Sequence, residues 1–290
     1  MNKLSLTLAA LAASGLCSAA KAGLFSDKFE MLVVAERAAD APEASGTIAA
    51  ALVDGGYIEA GDPIAGENPP SAASVRQELQ DALGQRGFSV GAGTPAVVIT
   101  YHWGVLRADR TQIHPPYGIN SNMDARIRLV STQQDTDEVE KHIIGRKVGG
   151  GQVNDASTPV ILIGQLETDL ENARKPRFFV VVSAYDYPIA AGSSQPKLLW
   201  RAKLSAQETS GDMSEVIPAL IASGAPYFGK TLPETKIVET TLMKSVTPAS
   251  SEPNGPQSAL ASGDPATPAI TNVVKEEHAQ FSGTDGVKGL

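Results

Sequence analysis

Apolar and polar residues alternate along this chain in a way that predicts a sheet with helices packed on it. Glu30 to Glu36 (EMLVVAE) is short, apolar and β-branched, and predicts a buried strand. Residues 38 to 70 contain Asp54-Gly55-Gly56 and Pro69-Pro70, which predict loops. Ser71 then has the character of a cap for a helix running to about Arg86. Val75, Leu79, Ala82 and Leu83 fall on one stripe, and Gly87 ends it. Phe88 and Val90 begin a short strand, and Ala96 to Arg107 is the next. In that strand Val97, Ile99, Tyr101 and Trp103 share one face, and Val98, Thr100 and His102 the other.

The middle of the chain is polar and interrupted by glycines. Asn120 to Thr132 carries Met123, Ile127 and Val130 at helical spacing. Asp135 to Gly145 also predicts a helix, Gly149-Gly150-Gly151 a break, and Ser157-Thr158-Pro159 the start of a further helix through Leu170. Arg177 to Tyr187 (RFFVVVSAYDY) predicts a strand buried on both faces, and Lys197 to Ala206 the second arm of a hairpin. In that arm Leu198, Trp200, Ala202 and Leu204 point one way. Lys197, Arg201, Lys203 and Ser205 point the other, which predicts a solvated face. Asp212 to Ser223 is a short helix containing Pro218, Tyr227-Phe228-Gly229 predicts a hydrophobic clasp behind it, and a last strand is expected before residue 246. The pattern as a whole predicts an α+β fold: a mixed, mostly antiparallel sheet of four to six strands, packed helices, a helical insertion and a disordered C-terminal tail.

The ends of the chain differ from its middle. Lys3, the apolar run Leu4–Leu16 and Ala20-Lys21-Ala22 fit a cleaved export signal over residues 1–22, with cleavage after Ala20 as the alternative. The run is shorter than a bilayer span. Cys17 follows Ser14-Gly15-Leu16, and leucine before the cysteine argues against lipidation. Residues 23–246 form the single domain, with 111–176 as its insertion. Residues 247–290 are rich in Pro, Gly and Ser, with Phe281 as the sole Phe, Tyr or Trp, and predict disorder, with a transient helix over Val273–Phe281.

Composition narrows the function. The formal net charge of −8 becomes more negative once Lys3 and Lys21 leave with the signal, which argues against nucleic acid as a partner. Cys17 is the only cysteine, so the mature chain would have no disulfide, thiol nucleophile or cysteine-ligated metal. His102, His114, His142 and His278 form no short-spaced ligand pair, and HExxH is absent. No G-x-S-x-G elbow or Rossmann fingerprint occurs. Gly145–Gly151 has its lysine ahead of the glycines, unlike a Walker loop, and Asp135, Asp137, Glu138 and Glu140 lack the glycine of an EF-hand. No catalytic residue, metal site or cofactor is predicted. His102 is expected as a satisfied core or edge histidine, and His114, ahead of Pro115-Pro116-Tyr117, as a loop residue. The aromatic residues are the candidates for partner binding. Tyr101 and Trp103 share a strand face, Tyr185 and Tyr187 share another, and Trp200 lies across the hairpin. With His114 and Tyr117 they would form a binding stripe if the faces coincide; packing in the core is the competing reading.

Three segments carry a resemblance: the helix-to-strand join Ser74–Val90 (SVRQELQDALGQRGFSV), the strand Pro95–Val105 (PAVVITYHWGV) and the arm Lys197–Ser205 (KLLWRAKLS). Together they resemble a group of bacterial envelope proteins. This group includes the curli secretion lipoprotein, the lipoprotein activators of penicillin-binding proteins, the TolB amino-terminal domain and outer-membrane proteins of unknown function. The resemblance implies a non-catalytic, exported module, periplasmic or outer-membrane associated, that binds an envelope protein or a cell-wall polymer. A periplasmic metal-assisted hydrolase built on His102, His114 and nearby acids is the rival expectation, and a self-associating structural component is the third. The sequence does not specify the oligomeric state, and no segment of the mature chain has transmembrane length.

Overall fold

The computed structural model describes residues 28–41, 46–107, 121–132, 160–186 and 196–242, together with Val274, Lys275, Glu277 and His278. The expected export signal, the helix expected over Asp135–Gly145, the expected glycine break and most of residues 247–290 lie outside the described residues.

The fold is α+β. Its strands are β1 (Lys28–Arg37), β2 (Ile48–Ala60), β3 (Phe88–Val90), β4 (Val97–Leu106), β5 (Arg177–Asp186), β6 (Leu198–Gln207) and β7 (Lys236–Thr241). They form one sheet in the order β3-β2-β4-β5-β6-β1-β7. Pairing is antiparallel from β4 through β5, β6 and β1 to β7, and parallel where β2 meets β3 and β4. The sheet is mixed and mostly antiparallel as expected, but among the described residues it has seven strands rather than four to six.

The additional strand is β2. Asp54-Gly55-Gly56, expected as a loop, is an irregularity within it: the register against β4 shifts between Asp54 and Tyr57. Glycine is required at this point because a Cβ on Gly55 would sit 2.2 Å from the His102 ring. A second close approach lies further along the same pair, where a Cβ on Gly104 would come 1.9 Å from the Ile58 carbonyl oxygen.

One face of the sheet carries the main core. Helix α1 (Ala72–Gly84) begins where Ser71 Oγ accepts from the Ser74 amide at 3.1 Å, and buries the stripe Val75, Leu79, Ala82 and Leu83. Helix α4 (Met213–Gly224) buries Val216, Ile217, Leu220 and Ile221 beside it, with Pro218 inside the helix. Both cover Ile99, Tyr101, Trp103, Val182, Trp200 and Leu204. The clasp expected after this helix is present: Phe228 is buried and stacks on Trp200 with ring centroids 5.9 Å apart.

The opposite face is divided. At one end Leu32, Ile58, Leu106, Phe179 and Val181 pack under α2 (Ser121–Val130) and α3 (Val160–Arg174), the helices of the insertion. At the other end the sheet presents Thr100, Ser183 and Arg201, which are opposite one another in register. The alternating arm of β6 is therefore not a solvated face. Lys203 is 5% exposed, and its ammonium donates to the carbonyls of Arg128 (2.8 Å) and Ser131 (2.6 Å), closing the carboxyl end of α2. Arg177 is also buried on this side. It donates through Nε to Ser205 Oγ at 3.0 Å, and burial pushes its guanidinium down to about 10.

A second polar cluster ties the ends of the strands together. Arg107, at the end of β4, donates through Nη1 to Glu59 at 2.9 Å and also bonds Glu67 and Glu208. Burial alone would lower its pKa, but Glu208 and Glu67 outweigh that and raise it.

Candidate functional site

The polar half of the second face is a socket, and its components come from three neighbouring strands. β4 contributes Thr100 and His102, β5 contributes Ser183 and Tyr185, and β6 contributes Arg201. Strand periodicity places them together: Thr100 opposes Ser183, Ser183 opposes Arg201, and Tyr185 opposes Val98. The irregularity in β2 faces His102 and leaves the room that its imidazole occupies.

A carboxylate from the far end of the chain fills this socket. Glu277 is 2% exposed although it lies in the carboxyl-terminal tail. Its Oε1 accepts from Tyr185 Oη at 2.6 Å and from Arg201 Nη2 at 2.8 Å, and its Oε2 accepts from Thr100 Oγ1 at 2.8 Å. His102 Nε2 lies 3.4 Å from Oε2, within ion-pair range but without hydrogen-bond alignment. Arg201 is itself oriented by Ser183 Oγ, which accepts from Nε at 3.0 Å. Val274, Lys275, Glu277 and His278 are helical, and the His278 ring meets the edge of His102 at 6.0 Å between centroids. These residues fall within the segment Val273–Phe281 expected as a transient helix; its docking on the sheet was not expected.

The electrostatics follow from the contacts. Burial by itself would raise the Glu277 carboxyl, but His102, Arg201 and Tyr185 outweigh it and hold the group well below the usual carboxylate range. Burial and the neighbouring carboxylate push the Tyr185 phenol up. Burial, followed by the charge of His102, lowers His278. The socket stabilises a negative charge. It contains no serine or cysteine paired with a base, and among the described residues no group of three or more His, Cys, Asp or Glu could hold a metal ion.

The aromatic candidates separate. Tyr101 (0% exposed) and Trp103 (3%) lie beneath α1 and α4 in the main core, where Trp103 meets Tyr57 with ring centroids 4.9 Å apart. Trp200 is on that same face. Tyr185 is on the other, so the faces do not coincide and no continuous aromatic stripe forms. The physical reason is the register: Tyr101 opposes Val182, an odd number of positions from Tyr185. Tyr101 and Trp103 offer no surface to a partner, and Tyr185 contributes through its hydroxyl in the socket. His114, Tyr117 and Tyr187 lie outside the described residues. His102 is fully buried, but neither ring nitrogen makes a hydrogen bond, so it is not the satisfied histidine expected; it lies within ion-pair range of Glu277.

The sequence reading missed Thr100, Arg201 and Glu277. Signals for the first two were present, since Thr100 and His102 are polar residues in a strand that is otherwise apolar and Arg201 alternates with buried residues. Glu277 had only the helical spacing of Val274 and Glu277 in its favour.

No protein-family model matches the chain, and no curated protein matches it. Solved structures bear a distant likeness, three of them as follows. A PelC variant from Paraburkholderia phytofirmans, described as a dodecamer, is 12% identical, with 68% of this chain and 98% of that chain covered at a TM-score of 0.31. A second PelC dodecamer from the same organism is 12% identical, with 70% and 99% covered at 0.32. A PDZ domain protein from Parabacteroides distasonis is 10% identical, with 74% and 39% covered at 0.37. At these scores no functional argument rests on the likeness.

Proposed function

We propose that this chain is a non-catalytic, exported, envelope-associated binding or assembly module that meets its partner at the outer edge of β7. The export half of this reading is supported by Lys3, the Leu4–Leu16 run and Ala20-Lys21-Ala22. The resemblance of Ser74–Val90, Pro95–Val105 and Lys197–Ser205 to envelope assembly proteins supports the same reading. No helix among the described residues is long and apolar enough to cross a membrane.

The observation that carries the binding half is the open edge. Both faces of the sheet are covered, one by α1 and α4, the other by α2, α3 and the Glu277 segment. Among the described residues β7 pairs on one side only, with β1, and Ile237 on it is 58% exposed. An unpaired strand offers backbone donors and acceptors to an extended peptide, and an exposed apolar side chain adds contact area. A hydrolase built on His102 gains no support from its position, because its ring is fully buried between Gly55 and Glu277.

The test uses the mature chain as bait in an envelope extract, alongside the variant Ile237→Lys. A charge at an exposed edge position leaves the core untouched and discourages strand addition. The expected result is a specific partner held by the wild type and lost by the variant, with melting curves that coincide. Equal capture by both would remove β7 from the reading, and capture of nothing by either would remove the binding module.

A further inference from the structure

Three groups of the sheet donate hydrogen bonds to the Glu277 carboxylate, the Thr100 and Tyr185 hydroxyls and the Arg201 guanidinium, and the His102 ring lies beside it. The negative charge is supplied by none of the strands that build the socket, nor by the helices beside it. It comes from a residue joined to β7 through residues 243–273. Without a carboxylate, the sheet would hold a largely buried guanidinium and the Tyr185 hydroxyl with their acceptor removed, and Thr100 Oγ1 would keep only its long 3.4 Å bond to the Ser183 carbonyl, which is costly in a protein interior. A purely internal ion pair could have drawn its acid from an adjacent strand, as Arg107 draws Glu59 from β2. Here the acid comes from a segment beyond β7 in the chain. The described part of that segment shows how it is presented: Glu277 sits three positions after the half-buried Val274, Lys275 is exposed, and His278 abuts His102.

We propose that the socket formed by Thr100, His102, Tyr185 and Arg201 is a carboxylate-binding site for an acidic helical segment of a partner protein, and that Glu277 occupies it as the chain's own competing ligand. The recognised element is a helix carrying a glutamate with an apolar residue three positions before it. The carboxylate is read by three donors at 2.6–2.8 Å. A ligand on the same chain competes intramolecularly, so a partner segment gains access when Glu277 is displaced. This inference concerns the sheet face and does not depend on the β7 edge; loss of either reading leaves the other intact.

The experiment uses the full mature chain and a fluorescent peptide of residues 268–284 as the probe, with binding read by anisotropy. Wild type, Glu277→Ala and the near-isosteric Glu277→Gln are compared, with a melting curve for each. We expect both variants to bind the peptide at least about tenfold more tightly than wild type, because the tether no longer competes. The same peptide carrying E277Q should lose that gain, as should the protein variant E277A combined with Tyr185→Phe. Equal peptide binding by wild type and both variants, no binding by either variant, or indifference to E277Q in the peptide would each overturn the proposal. A wild-type chain whose mass doubles in solution through an association that E277A abolishes would make the occupant a second copy, and would overturn the partner assignment.

Discussion

Tyr185 Oη donates to Glu277 Oε1 at 2.6 Å across 92 positions of sequence, and through this contact the end of the chain reaches the middle of the sheet. A hydrogen bond to a buried charge contributes about 1.5–3 kcal/mol. Removal of the hydroxyl alone by Tyr185→Phe leaves the ring in place and should weaken docking of the tail by that amount. Trypsin cleavage after Lys275 reports it, because the protease needs the local helix opened. The expected increase in cleavage rate is roughly ten- to a hundredfold, with little change in the melting temperature of the domain. An unchanged rate would mean that the hydroxyl does not hold the segment.

The same contacts make docking depend on pH. The titratable groups around Glu277 are His102 on β4, Tyr185 on β5 and Arg201 on β6, and His278 on its own segment meets the His102 ring. In the docked state Glu277 titrates below its ordinary value of 4.5 and His278 below its ordinary 6.5. A group whose pKa is lowered on docking stabilises the docked state above its free value and loses that contribution as pH falls. Docking should therefore be strongest above about 6.5. It should weaken modestly below that as His278 takes up a proton, and more steeply below 4.5 as Glu277 does. Tryptic cleavage cannot follow this range, so the amide exchange of Val274–His278, corrected for intrinsic rates, is the measurement. Glu277→Gln should remove both steps, because the segment no longer docks, and leave the corrected exchange flat across this range.

Lys203 makes a separate prediction. Its ammonium serves two carbonyls at the end of α2 within a buried setting. Lys203→Met keeps the aliphatic stem and leaves those acceptors unmet, at about 1–3 kcal/mol. Thermal unfolding should show a lowered melting temperature. A variant as stable as wild type would mean that water replaces the ammonium.

The clasp on the first face is tested by Phe228→Ala. Truncation of a buried phenylalanine costs about 3–5 kcal/mol, and Phe228 also stacks on Trp200. Denaturant unfolding followed by tryptophan emission should show both the lost stability and a changed native spectrum. A loss well under 1 kcal/mol would contradict close packing at this point.

Much of the fold was legible because its signals are local. Ser71, the stripe from Val75 to Leu83 and Gly87 delimit α1 without reference to the rest of the chain, and the two periodicities of β4 separate its faces correctly. β2 was not legible because Gly55-Gly56 has the composition of a turn. Gly55 is needed by a ring on another strand, which no local window contains, and Gly56 by its positive φ. The charged side of β6 was misread for a related reason. Alternation tells which residues share a face, not whether helices from elsewhere in the chain will cover it, so Lys203 read as solvated. The candidate site was least legible. Tyr185 was identified for its ring and serves through its hydroxyl, Tyr101 and Trp103 belong to the core, and Glu277 lies in a stretch whose composition predicts no burial at all.

Hydrogen–deuterium exchange over Val274–His278 in the full mature chain at neutral pH, compared with Glu277→Gln, tests the central relationship most directly. Docking through the carboxylate predicts slowed exchange in the wild type, and exchange near the rate of free peptide in the variant. Free-peptide rates in the wild type, or equal protection in both proteins, would contradict it.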